Sequence, residues 1–145
     1  MTDVHLLADG ERERADAALP LSRLDRPRTE YLVAWDGGEP VGHVCIEWTR
    51  PPELQDLWVL PERRGTGVGT ALVAAVEERV AARGFVELKL SVGIANTGAA
   101  RLYERLGYVR TTVPPKRVKG TILIRGAPFE VDDTLLEYVK AVVTA

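Results

Sequence analysis
Three glycines at alternate positions, Gly65, Gly67 and Gly69, carry the clearest chemistry in this chain. Glycine leaves the backbone N–H uncovered. Just beyond, Val68, Leu72, Val73, Val76 and Val80 recur at helical spacing. A glycine-rich turn therefore feeds a helix N-terminus, whose first N–H groups have no partner inside the helix and sit at the positive end of its dipole. That arrangement suits an anion, most naturally a phosphate or pyrophosphate. Two familiar phosphate loops do not fit. A P-loop needs Gly-Lys-Ser/Thr, and here Gly69 is followed by Thr70 and Ala71. The dinucleotide fingerprint needs a glycine where Thr70 or Leu72 stands. On these residues alone, a turn without a ligand stays open. His43 and Cys45 share one face of a predicted strand; they either line a cleft or simply pack.

The elements that must position these residues follow from periodicity and breaks. Residues 57–60 form an apolar run leading into the turn, at the end of a strand from 53 to 60 that Pro61 stops. The helix spans 67–82, with Gly84 as its stop. Residues 85–92 alternate, with Val86, Leu88, Leu90 and Val92 inward, so strand, helix and strand make a right-handed parallel crossover. Before it, 4–7 and the pair 31–35 and 41–48 read as strands, the pair closed by the Asp36-Gly37-Gly38-Glu39-Pro40 turn. In 41–48, Gly42, Val44, Ile46 and Trp48 form the core face. Residues 9–30 are dense in mixed charge and predict a surface helix ending before Pro20: a solvated face, or a wall of a substrate cleft. After 93–96, a helix over 98–106 is capped by Asn96 or Thr97 and places Ala99, Leu102, Tyr103 and Leu106 on one face. A strand over 108–113 follows. Residues 114–128 read as an irregular basic loop with a short strand at 121–124, and 133–143 as a final apolar segment.

Composition sets bounds. The 145 residues suit one domain, 1–145, and 46% hydrophobic with 28% charged residues is the balance of a folded globular chain. A net charge of −2 argues against nucleic acid as a partner. A lone cysteine allows no internal disulfide and fits a reducing, cytoplasmic setting; a Cys/His metal site is not expected. No apolar run is long enough to predict a membrane span.

Arg64, Gly67 and Gly69 match Arg/Gln-x-x-Gly-x-Gly/Ala. Further on, Asn96, then Tyr103 seven residues later, then Gly107-Tyr108 at the start of a strand, form a second block. Together the two blocks resemble the GNAT superfamily of N-acetyltransferases, clearly over 30–110 and loosely at the ends. The resemblance implies an α/β (α+β) GNAT fold: a central mixed, mostly antiparallel twisted sheet of six to seven strands, with a parallel splayed pair in the middle and about four flanking helices. It favours a final strand antiparallel to the one from Tyr108. It also implies acetyl-CoA as cofactor, its pantetheine arm and acetyl carbonyl pairing with backbone at Leu57, Trp58 and Val59. The pyrophosphate would lie on N–H groups of Gly65, Thr66, Gly67, Val68, Gly69 and Thr70, with Arg64 adding charge and Asn96 near the pantetheine.

By that resemblance Tyr103 is the general acid for the departing sulfur. An alkylamine with pKa near ~10.4 must lose a proton before it attacks. Relatives often use a glutamate in this region, but the later position is Ser91. Asp56 and Glu53 are therefore the leading candidates for the base, with Glu47 and His43 behind them; loss of the proton to solvent before binding is the other route. The implied activity is acetyl transfer from acetyl-CoA to a primary amine, small or peptide-borne, by direct attack in a ternary complex. A non-catalytic acetyl-CoA sensor and an acyltransferase for another acyl group are the rival classes. Exposed sheet edges would allow a homodimer. Residues 114–128 are an exposed basic loop, a gate over the substrate, or a contact to an adenosine phosphate.

Overall fold
Strands form where apolar and β-branched residues alternate with polar ones. In the computed structural model, which describes residues 2–124 and 126–142, they are β1 (Thr2–Leu6), β2 (Thr29–Asp36), β3 (Glu39–Glu47), β4 (Glu53–Val59), β5 (Glu87–Gly93), β6 (Val109–Arg110), β7 (Lys116–Ile124) and β8 (Ala127–Ala141). Three α-helices accompany them among the described residues: α1 (Arg12–Ala18), α2 (Val68–Ala82) and α3 (Thr97–Arg105). The sheet runs β1-β2-β3-β4-β5-β8-β6, with β7 also on β8. Every pairing is antiparallel except β4 with β5. The expected mixed sheet with a parallel central pair is present.

That parallel pair is hydrogen-bonded only where Glu53 faces Lys89 and Leu54 faces Leu90. Beyond it the strands part. On its other side β4 follows β3 with a break in register: His43 pairs with Trp58 and Cys45 with Gln55, so two residues, Asp56 and Leu57, stand opposite Val44. Asp56 takes the extra turn of backbone at φ +53°. A bulge of this kind bends a strand and re-aims its side chains, here at the point where the sheet splits.

Helix α2 covers one face. Leu72, Val73, Val76 and Val80 are all but fully buried, each contributing roughly 1.5–3 kcal/mol of hydrophobic stabilisation. Gly42 on β3 permits this close approach: a Cβ there would lie 3.0 Å from the Trp58 carbonyl oxygen and 3.1 Å from Leu72 Cδ1. The same core takes in Tyr103, Tyr108 and Tyr138. A second core fills the opposite face, where Ala15, Leu19, Leu21, Tyr31, Val33, Trp35 and Cys45 pack together with Trp58 against them.

Several boundaries differ from the sequence reading. Residues 114–128 are not an irregular loop; β7 and β8 form a long hairpin, from Lys116 opposite Leu135 to Ile124 opposite Ala127. Its charges obscure the strand pattern because they pair across it: Lys119 faces Asp132, and Arg117 Nη2 lies 2.6 Å from Asp132 Oδ1. β8 pairs with β5 over 135–141 and with β7 over 127–135, so the hairpin continues past the end of β5. The strand at 108–113 contracts to β6, antiparallel to β8 as expected of the final strand. Val86, expected inward, precedes β5 and is exposed. His43 and Cys45 line no open cleft; both are fully buried in the second face.

Candidate active site at the split sheet
The glycine turn closes through a 3-10 turn at Pro61–Arg63, with Arg64 N donating to the Pro61 oxygen at 3.3 Å. Gly65 and Gly67 follow at φ +77° and +93°, a region where other residues are strained. Gly67 is the N-cap of α2, and its carbonyl accepts the first helical hydrogen bond, from Ala71 N at 3.0 Å. The N–H groups of Val68, Gly69 and Thr70 therefore precede the first intrahelical donor, and no side chain caps them. They open on a cleft of about 480 Å³ between the turn, Val59 at the end of β4, and Leu102 and Arg105 of α3.

This cleft unites the predicted phosphate turn with the strand predicted to bind the arm of a long ligand. From residue 55 onward, β4 has no strand partner on its β5 side among the described residues. Arg64 bends back onto β4: its Nε donates to the Val59 oxygen at 3.0 Å and its guanidinium lies 5.6 Å from the centre of the Trp58 ring. Arg105 was missed by the sequence reading. The signal was present, since Leu102 and Arg105 are three apart on one helix and share a face.

Asn96 caps α3, its Oδ1 accepting from Ala99 N at 3.1 Å. One helical face then turns Tyr103 inward, 6% exposed, its ring edge-on to Tyr108 at 5.7 Å. Tyr108 is fixed in turn: its hydroxyl donates to Glu77 Oε2 at 2.8 Å, and Lys140 Nζ donates to Glu77 Oε1 at 3.0 Å. Among the described residues the Tyr103 hydroxyl has no protein partner. Burial pushes its phenol up to about 12. At neutral pH it therefore remains an O–H, able to donate a proton.

On the opposite face stand the candidate bases. Asp56 Oδ2 accepts from the Tyr31 hydroxyl at 2.5 Å and from Ser22 N at 3.3 Å. Arg23 Nη1 lies 3.7 Å from its Oδ1, and His43 Nδ1 lies 3.7 Å from its Oδ2. Burial raises the Tyr31 phenol far above its ordinary value, with the Asp56 carboxylate adding to the effect. Burial lowers His43, against the pull of Asp56. Glu53, at the start of β4, sits between Glu47 and Lys89 across the strands; burial raises its carboxyl, while a Gln55 hydrogen bond and Lys89 oppose the rise. Cys45 has its thiol pushed up to about 12 by burial, which leaves it a packed, unreactive side chain. Ser22 and Arg23 also line a cavity of about 520 Å³, closed on its far side by Leu123 and Gly126 of the β7–β8 hairpin. The charged segment and the hairpin, read separately in the sequence, are thus two walls of one space.

A sheet split beside a glycine turn and a helix N-terminus is an arrangement suited to a phosphate-bearing coenzyme. The chain belongs to the acetyltransferase (GNAT) family, whose profile matches residues 4–108. An uncharacterized N-acetyltransferase of Methanocaldococcus jannaschii is 34% identical over 93 residues, which are 59% of this chain and 41% of that protein. The chain thus spans less than half the length of this curated relative. Among solved structures, the ribosomal-protein-S18-alanine N-acetyltransferase from Escherichia coli is 20% identical, with TM-score 0.75 over 100% of this chain and 96% of that one. A Bacillus subtilis acetyltransferase in complex with CoA gives TM-score 0.75 at 18% identity, over 99% and 100%. At these identities the likeness is one of fold. Acetyl-CoA is the cofactor of the family, and the free N–H groups, positive-φ glycines and open β4 edge fit it. No described helix is long and apolar enough to cross a membrane.

Proposed function
We propose that the protein transfers an acetyl group from acetyl-CoA to a primary amine, in one complex that holds both. The observation that carries this reading is the split sheet: beyond Leu54 β4 has no β5 partner and leads into a turn after which the N–H groups of Val68, Gly69 and Thr70 have no intrahelical acceptor among the described residues. Backbone of Leu57, Trp58 and Val59 would pair with the pantetheine arm, as a short added strand. The N–H groups from Gly65 to Thr70 would hold the pyrophosphate, with Arg64 and Arg105 supplying positive charge at the cleft wall. Asn96 holds the start of α3 and so the placement of Tyr103.

Bound acetyl-CoA supplies the thioester carbonyl that the amine attacks. Tyr103 then gives its proton to the departing sulfur. Asp56 is the better placed of the two leading carboxylates for the amine's proton, because it stands at the bulge where the strands part and against the segment lining the 520 Å³ cavity. Glu53 lies where β4 and β5 are still paired. The amine would enter from the cavity between residues 21–26 and the hairpin tip.

The test is turnover of acetyl-CoA with detection of free thiol, across small monoamines, polyamines, aminoglycosides and peptide N-termini. Amine-dependent thiol release supports the reading. Tight CoA binding with no release for any amine would instead mark a sensor. An unchanged acidic limb of the pH–rate profile in Asp56→Asn would remove Asp56 as the base, and the same result in Glu53→Gln would remove Glu53.

A further inference from the structure
His43 has no role in the reading above, yet its setting is unusual. The ring is wholly buried, and neither Nδ1 nor Nε2 has a well-formed hydrogen-bond partner among the described residues; only a weaker contact to the Asp56 backbone favours its protonation. An imidazole buried with so little hydrogen bonding costs stability. Its surroundings are specific. Trp58 stacks on one side at 6.0 Å between ring centres and 19° between planes. Tyr31 meets it edge-on at 5.7 Å. In front lies Asp56 Oδ2, 3.7 Å from Nδ1, too far for a hydrogen bond, brought there by the bulge that follows the His43–Trp58 pair. The charged and titratable groups facing the ring are Asp56 from β4, Arg23 from the 21–26 segment, Tyr31 from β2 and Cys45 from its own strand.

The same Asp56 oxygen already accepts from Tyr31 and Ser22, so its place is fixed on two sides. The third side is His43. A proton placed between Nδ1 and Oδ2 would turn a long contact into a charge-assisted hydrogen bond, the strong kind. It would satisfy one orphan nitrogen and leave no net charge buried in the pair.

We propose that His43 is a positioning residue for Asp56 and the store for the proton that Asp56 lifts from the acceptor ammonium. This inference rests on the acyl-transfer reading and deepens it. Asp56 takes one proton from the ammonium and passes it to Nδ1 of His43, leaving a neutral amine. The amine nitrogen forms its bond to the acetyl carbon, and the C–S bond breaks with its electron pair going to sulfur. Sulfur takes the Tyr103 proton, and the second proton lost by nitrogen restores the phenol by way of solvent. One proton per acetyl transferred is left over, held by the His43–Asp56 pair and released past Ser22 and Arg23. Trp58 joins this pair to the cofactor strand, since the residue that stacks on His43 belongs to the stretch proposed to hold the pantetheine.

Two experiments decide it. In His43→Asn, which keeps a donor near the Nδ1 position but cannot titrate, kcat at neutral pH should fall by ~10²-fold. Its acidic limb should move, while KM for acetyl-CoA and the thermal shift given by CoA stay as in the parent. His43→Gln and His43→Phe should not restore the limb. Independently of turnover, the imidazole can be followed by NMR in the coenzyme-free protein, where the chain's two histidines are separated by using a His5→Gln background. Asp56→Asn should lower the His43 titration midpoint, and Tyr31→Phe should move it too. Normal turnover and an unmoved limb in a folded His43→Asn overturn the inference and leave the acyl-transfer reading standing. So does a His43 midpoint indifferent to Asp56→Asn, which decides the matter if His43→Asn does not fold. Absence of turnover with every amine overturns both.

Discussion

The two faces of the split sheet are built on different principles. Under α2 and α3 the core is aliphatic with three tyrosines, of which Tyr108 is held by Glu77, and the groups left open at the cleft are backbone N–H. Under α1 and the 21–26 segment, the core encloses a polar knot of Tyr31, His43 and Asp56 with Arg23 at its rim. The first face can be set by glycine and helix geometry alone, because every residue has the same N–H. The second needs particular side chains at particular distances. One face is suited to a ligand common to many proteins, the other to one that differs among them.

The largest expected effect falls on the first face. Tyr103→Phe removes the donor without changing the packing and should lower kcat by ~10²–10⁴-fold, with acetyl-CoA affinity unchanged by calorimetry. Equal turnover of mutant and parent would take the phenol out of the chemistry.

The glycine turn and the place of Tyr103 on α3 were legible in the sequence for physical reasons, whereas the acid role proposed for Tyr103 comes from the family resemblance. Glycines required at positive φ, a helix beginning directly after the second of them, and Asn96 seven residues before Tyr103 are local facts, fixed by spacing along the chain. The parallel crossover was legible for the same reason. The second face was not. Tyr31 read as one more apolar strand residue because its hydroxyl partner, Asp56, is 25 positions away and is aimed by a bulge that no sequence pattern announces. His43 and Cys45 were expected to pack or to line a cleft, and only the covering segment from Leu19 to Leu24 decides that they are buried. The hairpin was hidden because its alternating charges are neutralised across strands rather than along one.

The next effects sharpen the contrast. Leu72→Ala empties a fully buried site under Gly42 and should cost about 2–5 kcal/mol in denaturant unfolding. The hydrophobic contribution of the first face would be overstated if the loss were well under 1 kcal/mol. Gly67→Val forces a β-branched residue into the φ +93° position; at ~1–3 kcal/mol of strain, acetyl-CoA affinity should weaken by about ten- to a hundred-fold. A variant that binds as the parent does would show that the turn need not keep this shape. Asn96→Ala removes the α3 cap and should cost ~1 kcal/mol, seen as a modest Tm decrease.

The smallest effect separates the two histidines by sign. His43 is held below its ordinary 6.5 by burial. As pH falls below 6.5, the unfolded chain takes up a proton more readily than the buried ring of the resting protein does, so His43 reduces stability there and has no such effect above 6.5. His5 is raised, chiefly by its hydrogen bond to Glu11. Its contribution is present below 6.5 and is lost as pH rises through its folded value. Urea unfolding between pH 5 and 8 should therefore show His43→Gln gaining on the parent as pH drops, and His5→Gln losing ground. The same slope in both variants would contradict the burial assigned to His43.

Acetyl transfer at the split sheet requires acetyl-CoA to lie along the open edge of β4 with its pyrophosphate on the glycine turn. Amide hydrogen exchange with and without CoA tests it residue by residue. Protection should appear at residues 57–59 and at the N–H groups of Val68, Gly69 and Thr70, and the outer half of the β7–β8 hairpin should exchange as before. Saturating CoA that leaves the turn unprotected and slows exchange elsewhere would contradict the account.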